Sequence, residues 1–218
     1  RQSARFSRRN RFFIGSLFGW CLELIFRRFF SDNNPERKWI NPGFLIGPYL
    51  PLYGFGLCVL YLLASVDLEV ITNPVLRYGV RFLVMAAGMT AIEYIAGLIF
   101  IRGMHVKLWD YSRRRGNIQG IICPLFSALW WALGILYYFA VHPYILGALT
   151  WLSRNLAFSF VIGFFYGILS IDIVYSMQLL SKIRRFASEN GIVVRLEELK
   201  HYIRSVKEEG REKMRFLL

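Results

Sequence analysis

Two glutamates lie inside apolar stretches of this chain, where an ionisable side chain is costly and therefore informative. Glu93 lies in VMAAGMTAIEYIAGLIF, and a helix would place it on one face with Ala86, Thr90 and Gly97, at steps of four, three and four residues. A carboxylate at membrane depth usually binds an ion or proton, or pairs with another helix. We expect Glu93 to line a substrate, ion or proton pathway, and a structural hydrogen bond to another helix is the alternative.

Glu23 is the second such carboxylate. It follows Gly15 and Gly19 at four-residue steps. Small residues at this spacing let two helices approach closely, so we expect Glu23 to face another helix rather than lipid. Arg27 lies one turn further along and could form an ion pair with Glu23. We expect Glu23 to line the same pathway as Glu93. The alternative is that Glu23 lies at the membrane interface and only pairs with Arg27.

The segment 43–56, GFLIGPYLPLYGFG, interrupts an apolar stretch with prolines and glycines. Pro48 and Pro51 donate no backbone hydrogen bond, so two carbonyls in the preceding turn would lose their helical partners. Free carbonyls are tolerated at membrane depth only against protein or water. A broken, glycine-rich span is a common element of binding sites and gates. We expect this segment to line a polar site, and a proline-kinked helix with a structural role is the alternative.

The other polar side chains in apolar segments carry weaker signals. Asp172 lies off the stripe formed by Gly163 and Gly167, and we expect it to approach the cytoplasmic surface. No histidine or cysteine spacing is typical of a metal site, and no cofactor motif is present. We recognise no catalytic motif, so the sequence leaves enzymatic activity open.

Membrane helices must position these residues. Hydrophobic residues make up 56% of the 218-residue chain, charged residues 19%, and the mean hydropathy is +0.40. The apolar segments are 12–26, 44–66, 82–101, 118–141 and 156–180. All but the first reach the roughly 20 residues that span a bilayer. We predict an all-α integral membrane protein with about five transmembrane or membrane-embedded helices, the second broken by Pro and Gly.

The net charge of +13 comes largely from Lys and Arg beside the apolar segments. The positive-inside rule explains this distribution without nucleic acid as a partner. It favours a multi-pass protein with a cytoplasmic C-terminus. It leaves open whether the first apolar segment crosses the membrane or re-enters on the same side.

The chain is expected to divide into a membrane domain, 1–180, and a cytoplasmic helical tail, 181–218. Asn190–Gly191 is a turn signal within the tail. Apolar residues then recur at steps of four and three, at Ile192, Leu196, Leu199, Ile203 and Val206. This narrow apolar seam predicts a helix that packs on a partner helix or docks on the protein.

The loop after the third apolar segment combines aromatic, polar and basic residues. The aromatic and polar ones are Trp109, Asp110, Tyr111 and Asn117, and the basic run is Arg113, Arg114 and Arg115. We expect the aromatic side chains at the membrane interface and the Asp and Asn side chains to cap the loop. The arginines are expected to bind anionic lipid head groups or an acidic partner. A basic loop that only sets the topology is the alternative.

Several short runs occur in an order that resembles one family of bacterial membrane proteins. They are GW with Glu23, GFLIGPYLPLYGFG, Glu93–Tyr94 with Gly97, WDYS with Asn117 and Gly120, Cys123, and His142–Pro143. Over roughly residues 12–143 the chain resembles the family named "Putative ABC-transporter type IV". The resemblance implies a permease-like component of the bacterial inner membrane. The positions that it implies are functional are Glu23, Gly47, Pro48, Tyr49, Pro51, Gly54, Glu93, Tyr94, Trp109, Asp110, Tyr111 and Asn117.

We therefore expect a membrane transport component, with Glu93 and segment 43–56 at a polar site and the substrate unidentified. The chain has no GxxxxGK[ST] motif, so ATP-driven transport would need a separate ATPase subunit. A proton- or ion-coupled carrier would instead use Glu93. The alternatives are an intramembrane lipid-active enzyme and a non-catalytic membrane scaffold or sensor. Besides the lipid bilayer, a second copy of this small chain is an expected partner.

Overall fold

The computed structural model describes residues 2–31, 34–145, 147, 151, 156–196, 198–200 and 202–205. The main helices of this part of the chain are α1 (Gln2–Phe29), α2 (Pro51–Ala64), α3 (Pro74–Leu98), α4 (Pro124–Leu136) and α5 (Leu156–Glu189). π-Helical turns extend α3 over Ile99–Gly103 and α4 over Tyr137–Val141. Strands β1 (Val106–Lys107) and β2 (Val194–Arg195) pair in parallel, with Val106 opposite Val194. The chain is mostly helical, as its sequence predicts.

Three helical stretches are long and apolar enough to cross a membrane: Pro74–Gly103, Pro124–Ile145 and Ala157–Glu189. Helix α2 is apolar but has only 14 residues. At 1.5 Å per residue it covers about 21 Å, less than the roughly 30 Å of a hydrocarbon core. The structure therefore supports a membrane protein, and five membrane-embedded segments stay a prediction.

Proline starts α2, α3 and α4 rather than interrupting them. Pro51, Pro74 and Pro124 each lie in a first helical turn. The missing N–H costs nothing there, because the first amides of a helix have no partner within it. The predicted break over 43–56 is thus too long: the non-helical backbone ends at Leu50, and α2 begins at the next residue.

Helices α1 and α2 run antiparallel and touch through glycines. A Cβ atom on Gly15 would lie 2.8 Å from the Tyr53 carbonyl oxygen, and one on Gly19 would overlap the Tyr53 ring. From the other side, a Cβ atom on Gly54 would lie 2.8 Å from the Phe12 carbonyl oxygen. The prediction that Gly15 and Gly19 face another helix is confirmed, and that helix is α2.

Helices α2, α3 and α4 share a core around Met85, which is fully buried. Arg81 is also buried there, and its guanidinium donates a hydrogen bond to the Ala64 carbonyl at the end of α2. The same guanidinium lies 5.0 Å from the centre of the Tyr138 ring. Arg81 therefore contacts a helix terminus and an aromatic face, while its Nε has no hydrogen-bond partner among the described residues.

The loop after α3, the segment before α2 and the chain after α5 meet at one end of the helices. β1 pairs with β2, and Arg195 forms an ion pair with Asp110 at 3.0 Å. Lys200 donates to the Asn41 carbonyl at 2.8 Å, and Arg204 donates to the Trp39 carbonyl at 3.0 Å. This end of the molecule therefore brings together three segments that are distant in sequence.

The tail departs from the predicted helical seam at its start. Asn190–Gly191 forms the expected turn, with Gly191 at a φ of 61°. Val194 and Arg195 then form β2, so the helical backbone begins at Leu196 rather than Ile192. Leu196 is buried against Val106, but Ile203 is exposed. Val206 lies outside the described residues, and the boundary at 180/181 stays a prediction.

Candidate functional site

A cavity of about 940 Å³ lies between the first four helices and the loop after α3. Both glutamates identified in the sequence line it. Its polar and charged lining comes from Glu23, Arg27, Ser31, Tyr53, Glu93, Trp109, Asp110, Tyr111, Arg113, Arg114 and Trp130. Most of the remaining wall is apolar. Small-molecule sites combine a similar volume with apolar walls and a few polar groups.

Glu93 is the most deeply buried carboxylate of the cavity, with 5% of its surface exposed. Its Oε1 accepts a hydrogen bond from the Tyr111 hydroxyl at 2.9 Å, and its Oε2 accepts one from Trp130 Nε1 at 2.9 Å. Both donors are neutral. Within the described residues Glu93 forms no ion pair, so no positive side chain there compensates its charge.

Glu23 has different partners. Its Oε1 is 2.8 Å from Arg27 Nε, which confirms the predicted ion pair. Its Oε2 accepts a hydrogen bond from the Tyr53 hydroxyl at 2.6 Å. The Tyr53 ring lies 6.1 Å from the Trp130 ring, which holds Glu93. Tyr53 and Trp130 therefore link the surroundings of the two carboxylates across the cavity.

Tyr111 reaches Glu93 because the loop folds back over α3 and α4. Its ring stacks on Phe126 with centroids 4.2 Å apart and planes at 8°. Burial, and then the Glu93 carboxylate, raise the pKa of Tyr111 above its usual value. The hydroxyl therefore stays protonated and acts as a donor. Nearby, Trp109 Nε1 donates to the Ile121 carbonyl at 2.8 Å and fixes the loop.

Asp110 lies on the cavity wall but bonds mainly within the loop and to the tail. It accepts hydrogen bonds from the Ser112 amide at 3.0 Å and from Lys107 Nζ at 3.2 Å, besides its ion pair with Arg195. Burial raises the pKa of Asp110, but the hydrogen bonds from Ser112 and Lys107 outweigh it, so the pKa lies below its usual value. Asp110 is therefore a loop-folding carboxylate that stays ionised at neutral pH.

Asn117 closes the other side of this loop. Its amide nitrogen donates to the Arg114 carbonyl at 2.8 Å, and its side-chain oxygen accepts from the Gly120 amide at 3.0 Å. Gly120 has a φ of 69°, and a Cβ atom there would meet the Ser112 hydroxyl. Only glycine adopts that backbone conformation without cost. The predicted capping by Asp110 and Asn117 is confirmed.

Asp172 on α5 holds the broken segment, a contact that the sequence did not indicate. Its two oxygens accept from the Ile46 amide at 3.0 Å, the Gly47 amide at 2.8 Å and the Tyr49 hydroxyl at 2.5 Å. Ser176 adds a fourth hydrogen bond at 2.9 Å. The side chain is buried and gives the amides of the non-helical segment an acceptor, and the approach of Asp172 to the cytoplasmic surface stays a prediction.

The predicted site residues separate into two sets. Those that line the cavity are Glu23, Pro51, Glu93, Trp109, Asp110, Tyr111, Arg113 and Arg114. Those outside its wall are Gly47, Pro48, Tyr49, Gly54, Tyr94, Asn117 and Arg115. Within the second set, Tyr49 is buried against Phe165, and a Cβ atom on Gly47 would overlap the Tyr49 ring. Gly47 and Tyr49 therefore shape the broken segment, and binding of lipid head groups by the arginines stays a prediction.

Tyr53 and Trp130 are the site residues that sequence reasoning missed. Each donates to one of the two carboxylates, at 2.6 Å from Tyr53 to Glu23 and 2.9 Å from Trp130 to Glu93. Tyr and Trp are common in apolar segments, so their residue type alone carries little signal. The sequence signal for Tyr53 is its position between Pro51 and Gly54. In the structure this residue lies on the face of α2 that packs on α1.

The fold and the cavity define a helical membrane protein with carboxylates inside a largely apolar cavity. Residues 11–177 match the family model described as "Putative ABC-transporter type IV". The match covers most of the chain, which therefore belongs to that family. It extends beyond the 12–143 region of resemblance and includes Asp172. Comparisons with curated proteins and with solved structures find no match.

Proposed function

We propose that the protein is the permease-like membrane component of a transporter and that the cavity is its substrate or ion pathway. Membership of an ABC-transporter-type family supports a transport-related role. The observation that carries the proposal is the convergence of Glu23 on α1 and Glu93 on α3 in one apolar-walled cavity. Ionisable groups at such positions usually mark substrate or ion pathways.

We infer that the cavity opens toward lipid at the side of the helices. Several apolar side chains that line it are exposed, among them Leu22, Ile99 and Leu129. A substrate with apolar substituents could therefore enter between these helices, without first crossing the loops.

The broken segment links α5 to the cavity wall. Asp172 binds the amides of Ile46 and Gly47, and a few residues further on Leu50, Pro51 and Tyr53 line the cavity. The Leu50 amide also donates to the Ser16 carbonyl of α1 at 2.9 Å. The cavity wall is therefore bonded to both α5 and α1, so a movement between these two helices would act on it. We infer that this connection couples helix movement to access.

We infer that the end formed by the loop after α3 and the tail faces the cytoplasm of a bacterial cell. It carries the basic run Arg113–Arg115, and the ion pair between Asp110 and Arg195 joins loop to tail. Positive charge at this end agrees with the positive-inside rule. Because the sequence has no nucleotide-binding GxxxxGK[ST] loop, ATP hydrolysis would come from a separate subunit docked there.

The first test is affinity purification from native membranes in mild detergent, followed by mass spectrometry. We expect an ATP-binding subunit in stoichiometric amount, and ATP hydrolysis by the complex after reconstitution in nanodiscs. Glu93→Gln should abolish substrate- or ion-stimulated activity without changing the elution volume or melting temperature. Glu69→Gln is the matched control, because Glu69 is exposed in the loop before α3 and outside the cavity wall.

Three results would contradict the proposal. One is a Glu93→Gln complex that retains full activity, which would remove this carboxylate from the pathway. Another is a protein that purifies without an ATPase and moves no protons or ions across proteoliposomes. The third is conversion of a labelled lipid by the purified protein alone, which would establish the lipid-active enzyme instead.

A further inference from the structure

We propose that the cavity binds a lipophilic organic cation, with the positive charge of the ligand close to Glu93. This inference names the substrate class of the proposed pathway. Only the transport of this ligand rests on the proposed function, because ligand binding can be measured in a protein that transports nothing.

The charges around the cavity favour a cation. Glu23 is paired with Arg27 at 2.8 Å, and Asp110 is paired with Lys107 at 3.2 Å and Arg195 at 3.0 Å. Glu93 differs from both, because its described partners are two neutral donors. A buried carboxylate without a counter-charge is unfavourable until a cation or a proton compensates it. A bound ligand can supply that positive charge.

The hydrogen bonds of Glu93 leave it able to accept more. Trp130 Nε1 can only donate, so Oε2 is held as an acceptor at 2.9 Å. Tyr111 occupies one site on Oε1 in the same way. An ionised carboxylate has about four acceptor sites, so these two donors orient the group without filling it. The carboxylate is therefore positioned for a further partner.

The walls near Glu93 suit the apolar substituents of such a cation. Tyr111 and Phe126 stack face to face, and Phe26 packs edge-on against Phe126 at 6.4 Å. Tyr53 and Trp130 line the same cavity. Aromatic faces attract cations and bury large apolar groups at the same time. A volume of about 940 Å³ accommodates a ligand of drug-like size.

An anionic amphiphile is the competing occupant, because Arg113 and Arg114 also line the cavity. Both arginines are exposed, so water and salt screen their charges. Glu93 is 5% exposed and is screened far less. The uncompensated charge in the apolar part of the cavity is therefore negative, which favours a cation.

The test compares two probes of the same shape and opposite charge. Tritiated tetraphenylphosphonium should bind saturably to the full chain in detergent, and Glu93→Gln should weaken its affinity roughly tenfold or more. Tetraphenylborate should show no dependence on Glu93. Glu69→Gln should bind both probes like the wild type. Gel filtration and thermal melting establish that each variant is folded.

A second measurement uses the unmodified protein, in case Glu93→Gln does not fold. A hydrophobic carbodiimide labels carboxyl groups in apolar sites, and peptide mass spectrometry reports labelling of Glu93 and Asp172 separately. Tetraphenylphosphonium should protect Glu93. It should not protect Asp172, which is buried outside the cavity wall.

The outcomes separate this inference from the proposed function. Unsaturable tetraphenylphosphonium binding, unchanged affinity in a folded Glu93→Gln variant, or absence of protection would each overturn it. Tetraphenylborate binding that depends on Arg113 or Arg114 would instead establish an anionic ligand. Cation binding by a reconstituted protein that transports nothing would reject the proposed function and leave the inference standing.

Discussion

Replacing Asp172 with Ala should destabilise the protein more than any other single change at the broken segment. The carboxylate accepts four hydrogen bonds and is 8% exposed. Three of the donors belong to the non-helical stretch before α2, at Ile46, Gly47 and Tyr49. Truncation would therefore leave several donors without an acceptor in a region that few water molecules reach.

The magnitude follows from the surroundings of each donor. A hydrogen bond to a charged group contributes about 1.5–3 kcal/mol. Tyr49 is 3% exposed, and Gly47 is partly buried, so these two bonds together contribute about 3–6 kcal/mol. Ile46 is 73% exposed, so its amide can find another partner and adds less. Ser176 also adds less, because its hydroxyl can turn to the backbone carbonyl four residues earlier in its own helix. The loss in Asp172→Ala should therefore be about 3–6 kcal/mol.

Single changes at the donors should give smaller losses. Tyr49→Phe and Ser176→Ala each remove one bond to the charge and should each cost about 1.5–3 kcal/mol. Ser170→Ala is the matched control for Ser176→Ala, because Ser170 is exposed on the same helix and its hydroxyl donates to the Tyr166 carbonyl at 2.8 Å rather than to Asp172.

Equilibrium unfolding in mixed detergent micelles measures these free energies. The double variant Asp172→Ala/Tyr49→Phe should lose less stability than the two single changes added together, because both remove the same bond. The reasoning is refuted if Asp172→Ala is as stable as Ser170→Ala. It is also refuted if the double variant shows strict additivity.

Three further changes test the packing and the loop. Gly19→Leu should cost about 1–3 kcal/mol of unfolding free energy, since the new side chain would overlap Tyr53. A Cβ atom on Gly163 meets no atom of the described residues within 4 Å, so Gly163→Leu should cost little. Asp110→Arg and Arg195→Asp should each expose the tail to limited proteolysis, and the double swap should restore protection. Because Asp110 has a lowered pKa in the folded protein, its contribution over Asp110→Asn should be present above about pH 4 and disappear as the pH falls through the folded pKa. An unchanged difference between the two proteins at pH 3 would contradict that assignment.

Sequence periodicity was sufficient to predict which faces of α1 and α3 are packed against other helices. The four-residue spacing of Gly15, Gly19 and Glu23 identifies the face of α1 that packs on α2. The spacing around Glu93 likewise identifies a buried face of α3. These inferences succeed because a helix repeats its faces locally, so residues three or four apart must share surroundings.

Contacts between distant segments had no such signal. Asp172 is 125 residues from Gly47, and β1 pairs with a strand almost 90 residues later. The pairing register of Val106 with Val194 depends on where the loop and the tail meet, which two-residue strands cannot specify by pattern. The tail prediction failed at the same place, because backbone pairing with the loop overrode the apolar repeat.

Proline position explains the other difference at the broken segment. From the sequence we predict that Pro48 and Pro51 both interrupt a helix. In the structure Pro48 lies in the non-helical backbone, whereas Pro51 is the first residue of α2. A proline in a first turn loses no hydrogen bond, so Pro51 specifies a helix start. The amides of the non-helical stretch before α2 have no helical partners, and Asp172 binds two of them, those of Ile46 and Gly47.

The residues from Glu93 to the end of the loop act as one structural unit that positions a donor. Gly97 has no side chain, and a Cβ atom there would overlap Ile121. Ile121 can therefore lie directly on α3, where its carbonyl accepts the Trp109 hydrogen bond at 2.8 Å. That bond holds the loop so that Tyr111, two residues later, reaches Glu93. Together these contacts place a neutral donor on a buried carboxylate, and the charge of that carboxylate is the one that the proposed cation would compensate.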